Sequence, residues 1–272
     1  MKNWILWLFA AQIFLYACQQ DGGSSAQQPP TRASEAEEMV NLLGGDWIPL
    51  DFCARAGQYG SVLGAMNNAH RPYAYALSFD PEQPDSARCF DGEKSWTCAI
   101  SVVGDTIELK NAVGDKSVFL VYHSTEGRDM TMFDATKGTA QMDKFIKSQA
   151  KAKDGYGAFA VALNHHLFNG VFSLKAAAAP VQFTPGGFIM NLRDYDRYEL
   201  CTAGNCFVTG DEIDVVTFSN SKKEGSAVLL GYRYDGTNDN LKIYRLIKNN
   251  ADEKAAYKIG ALLYDFSRKK AE

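Results

Sequence analysis

Between residue 40 and the C-terminal end, apolar residues seldom run together. They alternate with polar ones in short stretches, and Gly-Asp, Gly-Gly or Asp-Gly pairs punctuate them. A period of two sends successive side chains to opposite faces and predicts half-buried β-strands. In the first half the pattern predicts strands over 73–79, 95–103, 106–110 and 117–123, with 157–161 as a last strand. In the second half it predicts strands over 181–184, 188–192, 198–201, 206–209, 213–218, 227–234, 241–246 and 257–266. Gly186-Gly187, Thr209-Gly210 and Asp235-Gly236 mark turns. Two stretches break the pattern. Residues 53–71 are rich in Gly and small side chains and read as a loop or short helix. Over 136–153, Met142, Phe145, Ile146 and Gln149 fall at helical spacing and predict an amphipathic helix. Phe79, Trp96, Phe119, Phe183, Phe188, Phe218 and Tyr244 are the core candidates.

The alternating stretches recur in one order. Residues 42–47 (LLGGDW) align with 167–172 (LFNGVF), 77–81 with 181–185, 104–109 with 210–215, 118–122 with 228–232, and 157–161 with 260–264. Any β protein reuses Gly-Asp turns, but five segments in register argue for an internal repeat. The expected organisation is a leader over 1–17, an anchored cysteine and tether over 18–36, a first β domain over 37–165 and a second over 166–272.

The leader carries its own pattern. Lys2 precedes a short apolar run to Phe14, then Leu15-Tyr16-Ala17-Cys18, and the chain turns polar at Gln19. The run is too short for an ordinary membrane span. It resembles the lipobox of bacterial lipoproteins. The resemblance implies cleavage after Ala17, acylation of Cys18, and a protein held by lipid chains in the cell envelope. Two or more such chains anchor firmly where one does not. Gln19, where an inner-membrane retention signal would carry Asp, favours the outer membrane, with the body in the periplasm or at the cell surface. Residues 19–36 lack aromatics and large aliphatics and hold Pro-Pro and Gly-Gly pairs. They read as a disordered tether with a mean reach of roughly 20–25 Å.

Each half resembles a lipocalin-like β-barrel domain of the kind found in bacterial lipoproteins. The carrying residues are Gly45-Asp46-Trp47, its counterpart Gly170-Val171-Phe172, and the closing segment that ends at Arg268. In that family the Trp begins the first strand and plugs one barrel end, and an Arg packs over its ring. The resemblance places Arg268 over Phe172 in the second half and aligns His165 with that position in the first. It implies a mainly β fold: two tandem antiparallel barrels, with a short helix inserted in the first. Such barrels either fill with side chains or hold one small ligand, and the sequence leaves both open.

Composition narrows the partners. The net charge is −4, one unit more negative once Lys2 is removed, and no long basic run exists, which excludes a nucleic-acid surface. Five cysteines follow Cys18. Cys201 and Cys206 have the spacing of a tight hairpin and Cys89 and Cys98 that of a longer one, so both pairs are disulfide candidates in an oxidising compartment. Cys53 is left odd, either inert in the core or displacing Cys89 or Cys98 as a partner; all five reduced is the alternative.

Catalytic chemistry is sparse. Neither Gly-x-Ser-x-Gly, His-Glu-x-x-His, a P-loop nor Cys-x-x-Cys occurs. Residues 148–151 and 219–222 match Ser-x-x-Lys without companion motifs. His165 and His166, neighbours on an expected strand, would face opposite ways and chelate poorly. His70 and His123 are isolated, and the acidic runs 194–196 and 235–239 read as turns rather than calcium loops. The expectation is a non-enzymatic, lipid-anchored envelope protein that needs no cofactor or metal. It would bind a small apolar ligand or an envelope partner through a barrel mouth. The alternative is a structural or protein-interaction module with filled cores; an unrecognised hydrolase comes last.

Overall fold

The computed structural model describes residues 32–68, 71–124, 129–133, 142–174, 179–210, 212–235, 239–249 and 256–269. The leader, Cys18, the tether up to residue 31 and His70 lie outside them. Residues 32–36, at the end of the expected tether, already belong to helix α1 (Arg32–Leu43). Ala36, Val40 and Leu43 form a buried apolar stripe along that helix, and Glu35 in its first turn complements the helix dipole.

The fold is mainly β. The first barrel runs β1 (Gly45–Ile48), β2 (Ala76–Phe79), β3 (Ser86–Phe90), β4 (Ser95–Val103), β5 (Thr106–Val113), β6 (Lys116–His123), β7 (Asp129–Phe133) and β8 (Met142–Lys147). It closes antiparallel through Trp47↔Lys147 and Ile48↔Ile146. Helices α2 (Leu50–Tyr59) and α3 (Val62–Asn68) fill the stretch between β1 and β2. Helix α4 (Gly155–Leu167) follows, capped by the Asp154 carboxylate, which accepts from Gly157 N at 2.9 Å. The second barrel then runs β9 (Gly170–Leu174), β10 (Val181–Phe183), β11 (Ile189–Met190), β12 (Arg197–Leu200), β13 (Asp214–Ser219), β14 (Val228–Asp235), β15 (Asn240–Lys248) and β16 (Tyr257–Arg268). Its sheet order is β11-β10-β9-β16-β15-β14-β13-β12. The remaining seam, β11 to β12, is bridged at Phe188↔Arg197, where Ile189 N donates to Asp196 O at 2.9 Å and the Arg197 guanidinium lies 3.6 Å from the centre of the Phe188 ring.

Helix then eight-stranded meander occurs twice, and four of the five aligned segments fall on equivalent elements. The fifth does not. Residues 157–161 are helical in α4, and the counterpart of β16 is β8, in the stretch expected to be a helix. On β8 the buried row carries Asp143 beside Phe145, and the other row carries half-exposed Lys144 beside Ile146, which packs against the helices, so the alternation is lost. Helix α4 is sandwiched between elements of both barrels, so its apolar residues run on without a polar face. The expected domain boundary at 165/166 falls inside α4. Residues 206–209 are not a strand but a 3-10 turn (Gly204–Cys206) and the turns after it.

Two apolar cores result. Inward residues of the first barrel, among them Trp47, Leu77, Phe79, Ile107, Leu109, Leu120 and Phe145, pack with the stripe of α1, which closes one end. The second core fills the other barrel with Phe168, Phe172, Phe183, Phe218, Tyr232 and Phe266, and continues into α2 and α4 through Phe52, Tyr75 and Phe159. Tyr75 stacks on Phe159 at 4.4 Å and donates to Thr202 O at 2.8 Å, tying the first barrel to the second. Phe119 and Phe188, expected in the core, are 41% and 45% exposed. On β6 the inward row is Val118, Leu120 and Tyr122, so Phe119 points out, opposite Phe133.

Candidate functional site

Each barrel begins with the same device. The helix before it ends on Leu43 or Leu167, a glycine of positive φ turns the chain (Gly45, +112°; Gly170, +151°), and the next inward residue is a buried aromatic, Trp47 or Phe172. In the second barrel Arg268, register partner of Phe172, lies 4.9 Å from that ring's centre. Its Nη1 donates to Asn169 O and its Nη2 to Leu167 O at 3.2 Å, satisfying carbonyls at the end of α4. In the first barrel Trp47 Nε1 donates to Leu43 O at 2.7 Å, and the cation is Lys147, opposite Trp47, whose Nζ is 3.5 Å from Leu42 O. His165, aligned with that place in the sequence, instead sits in the last turn of α4 with Asn169 Nδ2 at 3.2 Å from its Nδ1. The alignment put α4 where β8 belongs, so it chose the wrong cation.

The cysteines divide. Cys201 and Cys206 form a disulfide with Cα atoms 5.6 Å apart, across a 3-10 turn rather than a hairpin. Cys89 and Cys98 are buried free thiols. Their hairpin pairs Cys89 with Trp96 and Cys98 with Ala87, so the two are diagonal instead of facing. They remain close enough to share a hydrogen bond, which together with burial pushes the Cys89 thiol up. Cys53 is free and buried on α2, and desolvation holds its thiol far above the ordinary range.

The larger cavities among the described residues lie at barrel rims and junctions, while side chains fill the interiors. An apolar one of about 320 Å³ separates β8 from α4. Another, of about 640 Å³, follows the β11–β12 seam. A third, of about 810 Å³, lies between the α2–α3 hairpin and the ends of β13, β14 and β15. The hairpin is fastened there. Gly60, at φ +64°, lies so close to Tyr234 that a Cβ would come within 2.5 Å of its carbonyl oxygen. Beside it the Asp214 carboxylate accepts from Ser61 Oγ at 2.5 Å and from Leu63 N at 2.9 Å.

This groove is polar. Burial raises the Asp214 carboxyl above its usual range, opposed by the hydrogen bonds from Ser61 and the α3 backbone. Tyr232 Oη, fully buried, faces that carboxylate, and burial together with the Asp214 charge holds its hydroxyl well above the phenol range. Asn240 Oδ1 is buried without a partner. Tyr59, 45% exposed, and Tyr244 add ring faces. Glu212, Asp214 and Asp235 stand against Arg233 and Lys242, so no one sign dominates. A second cavity of about 640 Å³ shares Tyr59, Tyr234 and Asp235 and extends the groove toward His166 and Arg268. Burial lowers the His166 pKa, and His165 adds to the effect.

The sequence pointed to several residues of this groove, Tyr244, Asp235, His166 and Arg268 among them, but each for a different role. Asp214 sat in a predicted strand with no motif around it. The other candidates stay apart: the Ser-x-x-Lys at 148–151 is irregular, and that at 219–222 lies in a turn after β13. Among the described residues, no three His, Cys, Asp or Glu side chains gather as a metal site, and no helix is long and apolar enough to cross a membrane. Comparison with family models, with curated proteins and with solved structures finds no match for this chain.

Proposed function

We propose that this chain is an exported, lipid-anchored recognition protein of the bacterial envelope, non-catalytic, whose barrels act as a filled scaffold and whose ligand sits at the rim of the second. The carrying observation is where space lies: apolar side chains fill both interiors, while the groove of about 810 Å³ opens between the hairpin and barrel two. That favours the filled-core reading over a carrier for a small apolar molecule, because a cavity suited to such a ligand is lined mainly by apolar groups. The lipobox-like leader supports the anchor, and the tether supports a body held off the membrane. The disulfide of Cys201 and Cys206 suits an oxidising compartment.

Organic extraction of the purified chain, followed by mass spectrometry of the extract, tests the scaffold reading. No non-covalent apolar compound is expected at stoichiometric amount. A discrete lipid or hydrophobe released one-to-one would overturn it and return the function to ligand carriage inside a barrel.

A further inference from the structure

We propose that Cys89 and Cys98, inside the first barrel, form a two-thiolate binding site for one soft monovalent cation of the copper(I) kind. The site is separate from the rim groove of barrel two and stands without it. Three observations carry it.

The first is that the two thiols stand together and unbonded. Both are buried in the core of barrel one, on the adjacent strands β3 and β4, and they are in hydrogen-bond contact with each other. Cys201 and Cys206 are joined, whereas Cys89 and Cys98 are free. The register gives the reason. Cys89 faces Trp96 and Cys98 faces Ala87, and such diagonal neighbours stand roughly 7–8 Å apart. A disulfide does not close over a Cα separation above about 7 Å unless the backbone moves. A cation held between two thiolates sets the sulfurs about 4.5 Å apart, twice a metal–thiolate bond of about 2.3 Å. A diagonal pair spans that gap with its backbone in place.

The second is the donor set. Thiolates are soft ligands, suited to copper(I), zinc and iron–sulfur clusters. A structural zinc takes four ligands, and the common clusters are held by four cysteines. Among the described residues no three His, Cys, Asp or Glu side chains gather, so neither is served. Two thiolates in line are enough for copper(I). The same core holds the thioethers of Met130 and Met132 among aliphatic and aromatic side chains, surroundings that offer little to a hard, oxygen-seeking cation. Uptake replaces two S–H bonds by two sulfur–metal bonds and releases two protons to solvent; no electron is transferred.

The third is access. Tyr73 Oη lies 3.9 Å from Cys98 Sγ, and Trp96 Nε1 donates to that hydroxyl at 3.2 Å. The two rings meet edge-on with centres 5.7 Å apart, and both are half-buried. They form the layer between Cys98 and solvent, so rotation of two side chains, with the barrel still closed, admits a bare cation. A metal ion between two sulfurs also needs no empty cavity, in keeping with the filled interior.

The test is anaerobic titration of the full chain in detergent with copper(I), in competition with the chelator bicinchoninate. Ascorbate keeps the copper reduced and leaves the disulfide of Cys201 and Cys206 intact. One copper(I) per chain is expected. Cys89→Ser and Cys98→Ser should each abolish uptake, while Cys53→Ser, which alters the third buried thiol, should keep it. X-ray absorption of the loaded wild-type chain reads the site without any substitution, and two sulfur neighbours with no nitrogen are expected. No uptake by the wild type, uptake that survives both Cys89→Ser and Cys98→Ser, or a copper bound through nitrogen overturns the proposal. Mass mapping that finds Cys89 joined to Cys98 in the chain isolated from its own envelope overturns it as well. Zinc competing on equal terms with copper(I) for the two thiols overturns the cation class.

Discussion

Replacing Arg268 with Met tests whether the cation at the barrel end holds the second barrel together. Met keeps most of the apolar stem and removes the guanidinium. Lost with it are the bonds from Nη1 to Asn169 O and from Nη2 to Leu167 O, each about 1.5 kcal/mol for a charged donor. The contact with the Phe172 ring at 4.9 Å also goes, about 0.5 kcal/mol at a partly exposed site. The Asp239 carboxylate is 3.6 Å away and 40% exposed, and adds little. Arg268→Met is therefore expected to destabilise the chain by about 3.5 kcal/mol. Arg268→Lys, which loses the planar fork but not the charge, should cost about half as much. Lys147→Met is the internal control: its single carbonyl contact is long and exposed, so its effect should stay below about 0.5 kcal/mol. Guanidinium chloride unfolding, followed by tyrosine and tryptophan fluorescence and by circular dichroism, gives the midpoints and slopes. If Arg268→Met falls within about 1 kcal/mol of the wild type, or matches Lys147→Met, the device is ornamental and the reasoning fails.

Four further outcomes are expected. Cys18→Ala should release the protein from membranes on flotation, and a variant that still floats would remove the anchor. Mass mapping without reductant should join Cys201 to Cys206, while Cys53 resists alkylation until the chain unfolds; rapid native labelling of Cys53 would contradict its burial. Gly57→Ala places a Cβ 2.7 Å from His166 O, where α2 crosses α4, and should cost about 1–3 kcal/mol by overpacking, read as a lowered melting temperature. Burial raises the Asp214 pKa in the folded state above 3.8, so the folded chain holds that proton more tightly than the unfolded chain. The associated stability is full below the unfolded pKa and declines as pH rises through the folded one; a carboxyl-carbon NMR titration giving Asp214 a pKa at or below 3.8 would refute the sign.

Much of the barrel architecture was legible because half-buried antiparallel strands keep a period of two. Residues 95–103 were read with the bounds that β4 has. Where each row of a strand mixes polar and apolar residues, as in β8, or an element is wrapped by two barrels, as α4 is, alternation vanishes and strand and helix exchange places. Strands β3 and β7 escaped notice because each is only five residues long, too short for alternation to stand out. The Phe172–Arg268 contact followed from the resemblance, whereas Lys147 could not be found while β8 was read as a helix. The groove was invisible for another reason. Ser61 meets Asp214 from 153 residues away, and neither residue stands in a local pattern that marks it.

That separation sets a schedule for the nascent polypeptide. Phe52, Cys53, Ala56 and Val62 of the hairpin are made early, yet part of what covers them arrives only with barrel two. Barrel two is sealed last, when β16 pairs back onto β9. Until then the first half emerges with a greasy, unclaimed surface beside an otherwise finished barrel. The interval between synthesis of Val62 and of Phe266 is therefore the window in which a holdase has something to grip, and in which crowding favours aggregation over maturation.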